Sequence, residues 1–128
     1  INDFVDCLPV LAVAACYAFS STRIVGAAIA RKKESDRIAS MSFELRKMGA
    51  NIEEHIDGMT IYPQRLTGSV VDSHQDHRIA MALAVAGIAA DGTTVVNNID
   101  CVAKSFPNFV GTLKSIGGNI QNMVTELC

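Results

Sequence analysis

The chain has 128 residues, nearly half of them hydrophobic, with 11 Lys and Arg against 13 Asp and Glu for a net charge of -2. That length suits one ordinary domain, and no single-sign field marks the chain for nucleic acid or an anionic membrane surface. Trp is absent and aromatics make up 5%, so the core must be built from Ala, Val, Ile, Leu and Met, which favours close helix packing.

The first residue is Ile1, with no basic region or cleavage signal behind it, and is read as a fragment boundary. Residues 6–19 are apolar all round and predict a helix buried on most sides, with Pro9 placed in its first turn, where the missing N–H does no harm. The longest apolar run, Leu8 to Phe19, has 12 residues; a membrane span needs about 20. Residues 22–27 predict a strand. A second helix is predicted over 34–48, with Ile38, Met41, Leu45 and Met48 at helical spacing, Ser35 or a neighbour as cap and Gly49 at its end. Residues 51–55 and 59–62 flank Ile56-Asp57-Gly58, a hairpin signal. A strand at 68–72, a buried helix at 76–90, a strand at 93–97 and a helix at 105–116 complete the series. In the last helix Phe106, Phe109, Val110, Leu113 and Ile116 face inward. Cys7, Cys16, Cys101 and Cys128 form no C-x-x-C pair and are read as reduced thiols.

The chain also repeats itself. Leu11-Ala12-Val13-Ala14-Ala15 recurs as Leu83-Ala84-Val85-Ala86-Gly87, and Lys33 falls on Lys104, at offsets of 72 and 71. Leu45 to Ile52 matches Leu113 to Ile120 at an offset of 68. These matches come in the same order, and predict an α/β chain of one repeat unit at about 5–75 and a truncated second at about 76–122.

Three polar clusters interrupt the pattern at strand-to-helix junctions. In the first, residues 31–37, Glu34 and Arg37 are three apart and would share a helix face. A cation beside a carboxylate at a helix start can hold an anion, although a solvated charge run with a capping role fits the spacing as well. The second is Asp72-Ser73-His74-Gln75-Asp76-His77-Arg78. A metal seat there would need His74 and His77 to act together across a helix boundary, so the plainer reading is an N-cap at Asp76 with local pairing of His77 and Arg78. Arg78 heads a helix otherwise apolar all round, and a buried guanidinium must have an anionic partner. The third is Lys104-Ser105-Phe106-Pro107, with Pro107 near the helix start. If the two copies pack side by side, Asp6, Lys33, Glu34, Arg37, Arg78 and Lys104 gather on one polar surface. Such a surface suits a substrate carrying phosphate and carboxylate groups.

Lys33-Glu34-Ser35-Asp36-Arg37, Asp76-His77-Arg78-Ile79-Ala80-Met81 and Ala103-Lys104-Ser105-Phe106-Pro107 resemble, in order, three signature segments of the 5-enolpyruvylshikimate-3-phosphate synthases. Asp6 followed by Leu8-Pro9-Val10-Leu11-Ala12 resembles that family too, and the likeness runs from about residue 4 to 121. Related UDP-N-acetylglucosamine enolpyruvyl transferases share the family's fold but not this trio. The resemblance implies the enolpyruvyl transferase fold: two globular domains, each of three βαβαββ units, closing on substrates between them. This chain would supply part of one domain; the partner N-terminal domain, with its own substrate lysine, would lie outside it, and the chain alone would be inactive. Two departures stand out: Ile29 replaces a commonly polar shikimate-ring contact, and Lys32 a commonly apolar residue.

The resemblance further implies addition of the 5-hydroxyl of shikimate 3-phosphate to C2 of phosphoenolpyruvate, protonation at C3 and loss of phosphate. No metal or organic cofactor takes part. Carried over by motif, Glu34 is the proton donor, and Asp6 the base and hydroxyl ligand assisted by Lys33. Arg37, Arg78 and Lys104 clamp the phosphoenolpyruvate anion, and His77 orients that clamp. The implied setting is cytoplasmic, without nucleic-acid or membrane partners. Two other readings stay open: a non-catalytic anion-binding half domain, and enolpyruvyl transfer to a UDP-sugar.

Overall fold

A computed structural model describes residues 2–99, and side chains from residue 6 onward. Lys104, the predicted helix at 105–116, Cys101 and Cys128 lie outside the described residues. The chain forms α1 (Asn2–Cys16), β1 (Thr22–Ile24), a 3₁₀ turn (Ala28–Lys32), α2 (Arg37–Lys47), β2 (Asn51–His55), β3 (Gly58–Tyr62), β4 (Val70–Asp72), α3 (His77–Ala89) and β5 (Val95–Asn97). The architecture is α/β, as the sequence predicts, and α3 followed by β5 repeats the order of α1 and β1.

One sheet is antiparallel in the order β1-β3-β2, with Ile24 opposite Met59 and Ile52 opposite Ile61. The other pairs β4 and β5 in parallel, Val70 on Val95 and Asp72 on Asn97, with α3 as the crossover. The core lies between the helices and the three-stranded sheet. Leu8 and Ala12 of α1, Ile38, Met41 and Leu45 of α2, Ile79, Leu83 and Ala86 of α3, and Met59 and Ile61 of β3 are all fully buried. α1 packs against both α2 and α3. Small side chains buried on the two long helices, Ala12, Ala15, Ala82 and Ala86, permit a close approach.

Several elements differ in detail from expectation. α1 begins at Asn2, so Pro9 lies in the helix interior, where it removes one backbone hydrogen bond. α1 is not covered all round by the described residues: Val10 and Leu11 are 45% and 40% exposed. α2 starts at Arg37, three residues later than predicted. Lys33–Ser35 bend instead, and Asp36 caps the helix by accepting from the Ala39 N–H at 3.0 Å. At its other end Gly49 adopts φ +91°, and the N–H groups of Gly49 and Ala50 close onto the carbonyls of Arg46 and Leu45. Gly58 proves to be a strand residue opposite His55, leaving Ile56 and Asp57 as the turn. A glycine is required there for packing, since a Cβ would overlap the Ile24 carbonyl on the neighbouring strand.

Candidate functional site

The starts of α2 and α3 and the Asp6 turn of α1 meet around one buried guanidinium. Arg37, the first residue of α2, is 1% exposed. Its Nε donates to Asp76 Oδ2 at 2.9 Å and its Nη2 to Asp76 Oδ1 at 3.2 Å, a two-pronged contact. Its Nη1 donates to Asp6 Oδ1 at 2.8 Å, and Nη2 also lies 3.5 Å from Glu34 Oε1. A guanidinium taken wholly out of water needs this density of acceptors to offset desolvation. Burial pulls the Arg37 pKa down, and the hydrogen bonds it donates to Asp76 and Asp6 more than reverse it.

Asp76 is fully buried at the N-terminus of α3. Besides Arg37 it accepts from the Ser35 hydroxyl at 2.8 Å and, as helix cap, from the Arg78 N–H at 3.0 Å. Burial pushes its carboxyl up, but the bonds from Arg37 and Ser35 outweigh burial and hold it below the ordinary carboxylate range. Asp6 is held low mainly by its hydrogen bond from Arg37, against the opposing effect of burial, with the charges of Arg78 and Lys33 adding to it.

The rim of this cluster is more open. Glu34 is half exposed and lies 3.4 Å from His77 Nδ1. Arg78 reaches toward Asp6 with Nη2 at 3.9 Å and is 41% exposed, while its Nε is buried with no partner among the described residues. Arg37 and Arg78 therefore approach the same Asp6 carboxylate from two helices, and the charge of Lys33 acts on it too.

Asp6, Lys33, Glu34, Arg37, His77 and Arg78 thus come together; Lys104 lies outside the described residues. The sequence reading put the buried cation at Arg78, whereas the structure buries Arg37 and leaves Arg78 at the rim. It also put Glu34 and Arg37 on one helix, but Glu34 precedes the helix and reaches Arg37 across the bend. Asp76, read only as a cap, is the main partner of Arg37. The available signal was charge balance: a cluster with Lys33, Arg37 and Arg78 needs more than Asp6 and Glu34 when one cation is buried.

His74 does not join His77. With φ +56° it turns back so that its Nε2 meets Glu44 Oε2 on α2 at 2.6 Å. Glu44, 1% exposed, also pairs with Lys47 at 2.8 Å and accepts from the Asp72 N–H at 3.1 Å. A different trio, Glu34, Asp76 and His77, has its potential ligand atoms within 4.8 Å of one another. Both Asp76 oxygens are taken by Arg37, and a divalent cation would sit against that guanidinium. The trio is therefore part of the salt network around Arg37.

Residues 1–113 match the family described as EPSP synthase (3-phosphoshikimate 1-carboxyvinyltransferase). The 3-phosphoshikimate 1-carboxyvinyltransferase of Chlamydia abortus is 48% identical over 120 residues, covering 94% of this chain and 27% of that protein. Its counterpart from Chlamydia trachomatis serovar L2 is 48% identical over 122 residues, covering 94% of the chain and 28% of the relative. The solved EPSP synthase from Acinetobacter baumannii superposes with a TM-score of 0.87 at 35% identity, over 91% of this chain and 28% of that one. The chain thus spans little more than a quarter of the length of the relatives it matches. Sequence, fold and the order of its elements place it in one group: the chain belongs to the EPSP synthase family.

Proposed function

We propose that the protein containing this chain transfers the enolpyruvyl group of phosphoenolpyruvate to the 5-hydroxyl of shikimate 3-phosphate, releasing phosphate, and that this chain forms one wall of the reaction cleft. The observation that carries the reading is the convergence of Arg37 and Arg78 on Asp6 beside the half-exposed Glu34, in a chain that belongs to this family. The remaining wall and further substrate contacts come from the missing N-terminal domain. Membership of this family supports a cytoplasmic setting.

Chemically, the alkoxy oxygen forms a bond to C2 while C3 gains a proton. The tetrahedral adduct then loses a C3 proton, back to the group that supplied it, and inorganic phosphate from C2, which regenerates the double bond. Glu34 supplies the proton to C3, and its neighbour His77 orients the surrounding groups. Asp6 accepts a hydrogen bond from the 5-hydroxyl and takes its proton, with Lys33 assisting. In the resting site the bond from Arg37 makes Asp6 a weak base. An anionic substrate that draws Arg37 and Arg78 toward itself loosens that bond and raises Asp6 toward proton-accepting strength. Arg37, Arg78 and Lys104 hold the phosphate and carboxylate of phosphoenolpyruvate by electrostatic preorganisation.

In the full-length enzyme, Glu34→Gln is expected to bind phosphoenolpyruvate as the parent does and to lose at least about a hundredfold in turnover, the scale of general acid catalysis. Phosphate release with shikimate 3-phosphate, run beside a UDP-sugar acceptor, checks both step and acceptor. Near-normal turnover of the variant removes Glu34 from the acid role.

A further inference from the structure

One basic side chain next to the site touches none of the groups placed in the chemistry. Arg31 lies in the 3₁₀ turn Ala28–Lys32, two residues before Lys33. Its Nε donates to the Ile56 carbonyl at 2.8 Å and its Nη2 to the His55 carbonyl at 2.6 Å, both at the β2–β3 turn. Nη2 also pairs with Glu54 at 3.0 Å, and Nη1 with Asp36 Oδ2 at 2.9 Å. The other oxygen of Asp36 caps α2. The Arg31–Asp36 contact therefore closes a short loop, and the residues inside it include Lys33 and Glu34.

The hairpin turn that anchors Arg31 is itself fixed from the other side. The Ala27 N–H donates to the Asp57 carbonyl at 2.7 Å, and the Gly26 N–H to the Asp57 carboxylate at 3.0 Å. Gly58, pressed against the Ile24 carbonyl, keeps the turn in register with β1. The turn is thus tied to β1 on one side and to Arg31 on the other, and Arg31 links it to the start of α2. Arg37 takes its place separately, from Asp76 and Asp6.

We propose that Arg31 is a positioning residue for the reaction. By joining the hairpin turn to the Asp36 cap it holds the loop carrying Lys33 and Glu34 in its reacting geometry before substrate arrives. This inference rests on the proposed function for the role it gives that loop. Arginine is needed because a planar fork with five donors can reach two carbonyls and two carboxylates at once. A lysine ammonium offers three donors from a single point.

The test uses the full-length enzyme with Arg31→Lys, Arg31→Ala and Asp36→Asn, the last keeping an oxygen for the Ala39 N–H while weakening the link to Arg31. Per folded molecule, both Arg31 variants should lose about a hundredfold in kcat, the scale of a small misplacement of reacting groups. Phosphoenolpyruvate affinity should hardly move, because Arg37 is anchored elsewhere. Asp36→Asn should shift in the same direction and carries the test if an Arg31 variant does not fold. A plain stability strut would lower the melting temperature and leave kcat per folded molecule unchanged; that outcome, or parental kcat in Arg31→Lys, overturns the proposal. If the unaltered enzyme fails to release phosphate from the two substrates, the functional reading fails instead. The loop claim is then read by hydrogen exchange at its Asp36 anchor, where the Ala39 and Ser40 amides, which donate to Asp36, should exchange about tenfold faster or more in Arg31→Lys, the loss of one charge-assisted hydrogen bond. Unchanged exchange sinks it.

Discussion

Asp36 and Asp76 do the same local job in two places. Each stands in extended backbone just before a helix, and each accepts from an N–H in the first turn. Their second partners differ. Asp36 is 38% exposed and pairs with Arg31, itself 25% exposed. Asp76 is fully buried and holds both prongs of a guanidinium that is 1% exposed. The cap geometry comes from a few neighbouring residues, whereas the electrostatic value of each carboxylate comes from what is packed over it. Water screens the first pair and competes for it; it does neither for the second.

The comparison predicts unequal costs. Asp76→Ala should be the most damaging change, because it strands the Arg37 charge in the core and removes the α3 cap together. A loss of roughly 3–5 kcal/mol is expected, read from urea unfolding of the intact protein. Acid should erase that difference. The Asp76 carboxyl is depressed in the folded state, so its contribution is complete above the unfolded value of about 3.9 and disappears as pH falls through the lower folded value. Parent and Asp76→Asn should therefore differ by a constant amount from neutral pH to about pH 5 and converge in stronger acid. Asp36→Ala should cost about 1 kcal/mol, the usual price of a helix cap. If it costs as much as Asp76→Ala, burial is not what separates the two aspartates.

The parts of the fold that were legible in the sequence are those decided within a few residues. Gly49 ends α2 because only a left-handed residue lets the last N–H groups fold back, and that requirement is written locally. The Asp57-Gly58 pair marked the hairpin's place, but for a different reason: Gly58 answers to Ile24, thirty-four positions earlier in the chain. Pro9 misled because a first-turn position is the ordinary home for proline, and the helix simply starts earlier. The motifs named Asp6, Glu34, Arg37 and Arg78, which do meet, but not which of them is buried or that Asp76 joins them. Whether Arg37 or Arg78 lies inside depends on how α1, α2 and α3 pack together, and no spacing rule carries that. Asp76 was hidden for the same reason, since a cap is a complete explanation for an aspartate until a second partner appears.

The buried guanidinium also bears on when the site comes into being. Arg37 is bonded to residues 31 positions before it and 39 after it. Neither contact can form until two long stretches of chain have closed, which is entropically expensive and slow compared with making a turn or a helix. The caps of α2 and α3 can assemble early and cheaply, but the salt network around Arg37 exists only once all three helices have met. Folding intermediates of this segment would carry secondary structure without a site, and recovery of ligand binding during refolding should lag behind recovery of helical signal.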